Sequence, residues 1–255
     1  MKYCRFLHEG QIKYGMIDVD RVIELKGSYL KKTSAPTDRV HYIDDVTLLC
    51  PVEPYQMVAI GLNYVDHAKE LSLPLPEEPM MFMVSPTALT GPDETILLAK
   101  PDHRIDFEAE LVIVIGKKAH KVSKEKALDS IFGYTIGLDI SDRDLQMKDG
   151  QFTRSKSYPT YKPMGPVVET DLQANKVPVQ LRQNGEIKQD GNTNNFVHSI
   201  EKIIETVTDV MTLYPGDIIL TGSPAGVGPL QEGDKLEATI PGIGILKNTV
   251  ALANR

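Results

Sequence analysis

The chain has 255 residues, is 41% hydrophobic and 25% charged, and carries a formal net charge of -7. That composition supports a substantial buried core and offers no electrostatic footprint for nucleic acid or an anionic membrane, since basic residues cluster no further than pairs such as Lys117 and Lys118. No run approaches the roughly 18 apolar residues that span a bilayer, and the start MKYCRFLHEG lacks the apolar centre of a signal peptide, so a cytoplasmic protein with a small-molecule partner is expected.

Short β-prone pieces, KYCRFL, IKYGMID and RVIEL, open the chain, separated by turn residues at Glu9-Gly10 and between Asp18 and Asp20. Residues 32–50 are polar and proline-bearing and read as a connector, which predicts a small N-terminal β-rich domain over 1–50 and a main domain over 51–255. Cys4 and Cys50 fall in this first part, too far apart and too few for a disulfide framework or a thiolate metal site. Buried, reduced thiols are the expectation.

Beyond residue 50 strand signals dominate: MVAIGL, MMFMV, TILLA, FEAELVIVIG, FGYTIGLDI, GPVVE, VPVQLRQ, DIILTG and KLEATI, with Asn184-Gly185 as a hairpin turn. A helix is predicted over 195–213, where Phe196, Ile200, Ile203, Ile204, Val207 and Met211 follow the helical period, and a shorter one over 124–131 behind Ser123 as N-cap. Many strands around few helices indicate an α+β fold.

Asp106, Glu108 and Glu110 alternate in RIDFEAELVIVIG and would share one face of a strand that continues as an apolar run of the kind buried on both sides. Acids heading a buried strand need partners, either basic side chains or a cation held by oxygen ligands. Asp139, at the end of GYTIGLDI, adds a third such carboxylate to Glu108 and Glu110, and a set without nearby His or Cys favours Mg2+ or Mn2+, with Ca2+ also compatible. His67 and Glu70 in GLNYVDHAKE are three residues apart and share a helix face, either as a general base with its orienting acid or as a plain ion pair. The following LSLPLPEEP reads as a loop able to serve as a lid. Lys156 could meet a substrate oxygen, and PGDIILTGSPAGVG runs from a strand into a glycine-rich turn whose N–H groups and hydroxyls, Thr221 and Ser223, could bind a carboxylate. That turn matches no nucleotide-binding pattern.

In order and wording, GLNYVDHAKE, DFEAELVIVIGK, GYTIGLDISDRDLQ, RSKSYPTYKPMGP and PGDIILTGSPAGVG resemble the fumarylacetoacetate hydrolase family over about residues 55–250. The resemblance implies a mixed β-roll catalytic domain behind a small N-terminal domain, usually in a homodimer. It implies metal ligands at Glu108, Glu110 and Asp139, a water-activating pair at His67 and Glu70, and substrate contacts at Arg143, Gln146, Lys156 and Ser223. The expected activity is divalent-metal-dependent hydrolysis or decarboxylation of a small 2-oxo or 1,3-dioxo acid. Isomerisation or tautomerisation of an unsaturated 2-oxo dioic acid is the alternative, and a metal-stabilised binding protein without turnover a third. Leu138 stands where asparagine is common, Pro159 where aspartate is common and Ser223 where threonine is usual; serine keeps the hydroxyl, whereas Pro159 removes a carboxylate near Lys156 and so bears on the substrate class and the orientation of that lysine.

Overall fold

A computed structural model describes residues 1–253. The first strands, β1 (Lys2–His8), β2 (Gln11–Asp18), β3 (Arg21–Leu25) and β4 (Pro36–Tyr42), form an antiparallel meander, and β5 (Thr47–Leu49) returns alongside β1. β4 and β5 lie within the stretch expected to be a connector. β4 is an outer strand with mostly exposed side chains, so it shows no apolar alternation to betray it.

The chain continues through β6 (Met57–Gly61), helix α1 (Val65–Glu70), β7 (Met80–Val84), β8 (Leu89–Thr90), β9 (Thr95–Leu98), β10 (Ile105–Phe107) and β11 (Ala109–Ile115). After these come β12 (Ile131–Leu138), β13 (Ser141–Asp142), helices α2 (Arg143–Asp149) and α3 (Thr153–Lys156), and β14 (Lys162–Glu169). The last elements are the hairpin β15 (Pro178–Gln183) and β16 (Glu186–Asn192), helix α4 (Ile200–Val210), β17 (Ile218–Leu220), β18 (Gly228–Pro229), β19 (Lys235–Ile240) and β20 (Gly244–Leu252).

The large sheet runs β4-β3-β2-β1-β14-β12-β11-β17-β6-β7. A five-stranded sheet, β16-β15-β19-β20-β9, and a small one, β13-β10-β18, complete the fold. The apolar run of β11 is buried on both sides, as its sequence requires: Leu111, Ile113 and Ile115 share a core with α4 and the five-stranded sheet, whereas Val112 and Val114 face a second core with Met57, Met164 and Ile218. The Asn184-Gly185 turn has positive φ at both residues, the backbone that a two-residue hairpin demands. Both cysteines are free and burial pushes each thiol up to about 12, Cys4 being fully buried and Cys50 half-buried. No helix among the described residues is long and apolar enough to cross a membrane.

Two helices differ from expectation. α4 is shorter than 195–213 because the Ser199 side chain accepts the Lys202 N–H and starts the helix there, while Phe196 stays outside it and packs edge-on against Tyr64 at 4.8 Å. The stretch Lys124–Ser130 is a 3-10 turn in which Ala127 is buried and Leu128 is largely exposed, so its apolar face is narrower than the spacing suggests. Ile131 already belongs to β12. Since one cap bond sets the start of α4, Ser199→Ala is expected to cost about 1 kcal/mol. Thermal denaturation should show a fall in Tm of roughly 2–4 °C, with α4 remaining in place.

Candidate active site

The acids gather where the large and small sheets meet. The chain leaves β10 and enters β11 at Glu108, so the alternating acids do not lie on one unbroken strand. The Asp139 N–H donates to the Glu108 carbonyl at 2.8 Å, which places the end of β12 beside that break. Glu108, Glu110 and Asp139 each offer a carboxylate oxygen within 4.8 Å of the others, and all three are buried. Asp106 turns instead to Arg104 and Arg143, 2.9 Å from each, and is a salt-bridged acid.

Basic groups surround the cluster. Lys156 Nζ donates to Glu108 Oε2 at 2.7 Å and to Asp139 Oδ2 at 2.6 Å, and Arg143 Nη2 donates to Glu108 Oε1 at 2.8 Å. Burial alone would raise the Glu108 carboxyl, but Arg143 and Lys156 hold it well below the usual carboxylate range. Burial would likewise lower Lys156, and Asp139 with Glu108 outweigh it and raise the ammonium. Glu110 goes the other way. Burial and the neighbouring Asp139 and Glu108 charges push it well up, against a weaker pull from Lys156 and the Gly222 N–H that reaches its Oε2 at 2.7 Å.

The oxygen set fits a hard divalent ion. Asp139 Oδ1 is buried without a hydrogen-bond partner, although Lys162 Nζ stands 2.7 Å away in an ion contact. Orphaned buried oxygens are uncommon and point to an absent partner. A cation would also relieve the repulsion that pushes the Glu110 carboxyl up. Glu108, Glu110 and Asp139 are the residues that could hold it.

His67 and Glu70 are joined on α1, with Nδ1 2.9 Å from Glu70 Oε2, and the Gly226 N–H donates to Glu70 Oε1 at 3.0 Å. His67 is buried and lines the cavity. Upstream of α1, the buried Asn63 amide donates to the Thr221 carbonyl at 2.9 Å and accepts the His198 N–H at the same distance. Gly222 packs against this staple with φ +92°, and an added Cβ would lie 2.9 Å from Asn63 Cβ, so glycine alone permits the approach.

The cavity these groups line has a volume of about 120 Å3, room for a small carboxylic acid. The three acids, His67, Lys156, Arg143, Gln146 and Ser223 all line it; Glu70 sits behind His67. Phe82 and Phe152 form an apolar wall with Leu71 and Leu73, which belong to the exposed proline-rich loop after α1. Arg143 Nη1 also donates to Gln146 Oε1 at 2.8 Å, so this pair presents one linked polar surface.

Several expectations about the glycine-rich turn change. Thr221 Oγ1 donates to the Leu111 carbonyl at 2.8 Å and the Gly222 N–H is spent on Glu110, so neither faces a ligand. Ser223 Oγ accepts from Gln189 Nε2 at 2.7 Å while lining the cavity. Gln189 and Lys162 escaped the sequence reading. Gln189 sits on a polar strand with nothing to mark it, whereas Lys162 carries a visible signal, a charge at the head of the apolar strand KPMGPVV. Pro159 is exposed and Lys156 keeps both carboxylate partners despite it, while Leu138 packs in the core.

The family model described as fumarylacetoacetate (FAA) hydrolase C-terminal matches residues 56–251, and one described as Rv2993c-like, N-terminal, matches residues 1–51. The human mitochondrial oxaloacetate tautomerase FAHD2A is 37% identical over 219 residues, covering 81% of this chain and 70% of that protein. The structure of 2-hydroxyhepta-2,4-diene-1,7-dioate isomerase from Mycobacterium marinum superposes with a TM-score of 0.93 at 36% identity, covering both chains fully. Maleylpyruvate hydrolase from Sphingobium sp. SYK-6, solved with manganese(II) and pyruvate, gives a TM-score of 0.83 at 26% identity with both chains fully covered. With the acid cluster, the mixed sheet and the family model agreeing over most of its length, this chain belongs to the fumarylacetoacetate hydrolase family.

Proposed function

We propose that this protein is a divalent-metal-dependent enzyme that cleaves a carbon-carbon bond in a small 2-oxo or 1,3-dioxo acid by hydrolysis or decarboxylation. The observation that carries the reading is the buried triad of Glu108, Glu110 and Asp139 at a cavity that also holds His67 and Lys156. Mg2+ is the expected ion, with Mn2+ or Ca2+ as substitutes; bound there, it supplies Lewis-acid polarisation of the substrate's carboxylate and carbonyl oxygens. Residues 1–50 are then a small N-terminal domain, residues 51–255 the catalytic one, and the family resemblance makes a homodimer the expected assembly.

The side chains divide the work. Glu70 accepts a hydrogen bond from the Nδ1–H of His67, which leaves Nε2 as the basic nitrogen, able to take a proton from water. Lys156 keeps a positive charge next to the acids and offers it to an oxygen whose negative charge grows as the bond breaks. Arg143, Gln146 and Ser223 hold the substrate's polar ends, and the Phe82 and Phe152 wall excludes water. A decarboxylation would use the same contacts without the water.

A second reading, isomerisation or tautomerisation of a 2-oxo dioic acid, is favoured by the names of the human relative and the Mycobacterium marinum structure. It needs only proton movement at the same site. Ultraviolet absorbance of acetylpyruvate and of oxaloacetate, with NMR of the products, separates the two. The expected outcome is metal-dependent loss of one substrate with pyruvate formed and activity abolished by EDTA. His67→Ala is expected to lower turnover by about 100-fold or more on a hydrolytic substrate. Turnover that moves a proton and releases no pyruvate would select the isomerase reading.

The raised Glu110 carboxyl has a consequence for stability. An unfolded glutamate ionises near 4.3, so at higher pH the unfolded state binds fewer protons than the metal-free folded state, and stability falls as pH rises toward the raised value. Glu108, whose carboxyl is lowered, has the opposite sign and loses its stabilisation only in acid. Glu110→Gln should therefore raise the metal-free Tm at pH 8 and remove the Tm gain produced by Mn2+. Differential scanning calorimetry with EDTA and then with Mn2+ measures both effects. A variant that kept the full Mn2+ gain would take Glu110 out of the ligand set.

A further inference from the structure

Lys162 is fully buried at the head of β14 and takes no part in lining the cavity, yet its ammonium lies against the metal-binding acids. It donates to the Lys156 carbonyl at 2.6 Å, the Tyr161 carbonyl at 3.0 Å and the Ile140 carbonyl at 3.2 Å. An ammonium has three N–H groups, so these carbonyls use all of them. The 2.7 Å approach to Asp139 Oδ1 is therefore a contact of charges, and that oxygen keeps its lone pairs free.

The carbonyls explain the placement. Lys156 ends α3 and Ile140 directly follows Asp139, so one side chain ties the helix that carries Lys156 to the segment that carries Asp139. Each oxygen of Asp139 then faces a lysine: Oδ2 accepts from Lys156, and Oδ1 is oriented by Lys162 without being consumed by it. A buried ammonium is costly, and an apolar residue would serve a buried strand better for stability alone. What the lysine adds is geometry at the acid cluster.

We propose that Lys162 is a positioning residue of the metal centre, fixing the Asp139 carboxylate and the Lys156-bearing helix against each other at the acid cluster. This rests on the metal-dependent reading of the same site. Partners that orient ligating carboxylates typically contribute about 10- to 100-fold in metal affinity or activity.

The test is Mn2+ binding to the full chain by isothermal titration calorimetry, with the electron paramagnetic resonance spectrum of the bound ion, in wild type, Lys162→Met and Lys162→Gln. Ser199→Ala, at a residue that does not line the cavity, serves as a control for loss of stability. Both Lys162 variants are expected to bind Mn2+ about 10- to 100-fold more weakly with an altered spectrum, while the control matches wild type. Met removes every donor and strands three carbonyls; should that chain not fold, Gln, which keeps an amide N–H pair without the charge, decides. A folded Lys162 variant with wild-type affinity and spectrum would overturn the positioning role and leave the metal reading intact. A wild type that binds no Mn2+ would overturn both.

Discussion

Carboxylates crowded within 4.8 Å of one another inside an apolar fold repel, and the rest of the site answers to that repulsion. Arg143 and Lys156 neutralise Glu108, Lys156 and Lys162 flank Asp139, and Glu110, which accepts only a backbone N–H, has its carboxyl pushed well up by burial and by the Asp139 and Glu108 charges. The basic groups match the acids in number, yet they reach Glu108 and Asp139 and leave Glu110 without an ion pair and Asp139 Oδ1 without a hydrogen-bond partner. A site built only for stability would have fewer charges, because burying ion pairs returns little.

The strands make this crowding possible. β11 is anchored by apolar side chains on both faces, so its first residues can carry acids without loosening the sheet. The break at Glu108 releases the chain from the large sheet just where β12 ends, and the turn after β17 closes over Glu110 through a glycine that no other residue could replace without a clash at Asn63. Rigid elements thus hold each acid, while the apolar loop after α1, with its exposed leucines, borders the opening.

Much of this was legible in the sequence, and the parts that were not share a physical reason. Strong periodicity revealed β11, β12, β17 and the middle of α4, because burial on one or both faces dictates residue type. β4 escaped because an outer strand with mostly exposed side chains has no such pattern, and the start of α4 escaped because a cap bond and a tertiary contact of Phe196 overrode the spacing. At the site, the acids stand out as charges heading a buried strand, whereas His67 and Lys156 are singled out by the family resemblance, since by spacing alone they read equally as a surface ion pair and a solvated lysine. Gln189 carries neither signal, since its role arises from a hairpin folding back onto Ser223, a contact that leaves no mark near either residue in the chain.

The seam between the opening meander and the rest of the molecule runs along β14, which pairs with β12 on one side and β1 on the other. Beside it, the Phe132 ring stacks on Tyr29 at 5.2 Å and meets Tyr3 at the same distance. Trimming the opening meander away would therefore bare the hydrogen-bonding edge at the end of β14 and the neighbouring Phe132 ring on β12 together. Such a truncated chain would be prone to self-association, so the meander also acts as a cover that keeps the central sheet from extending into a neighbour.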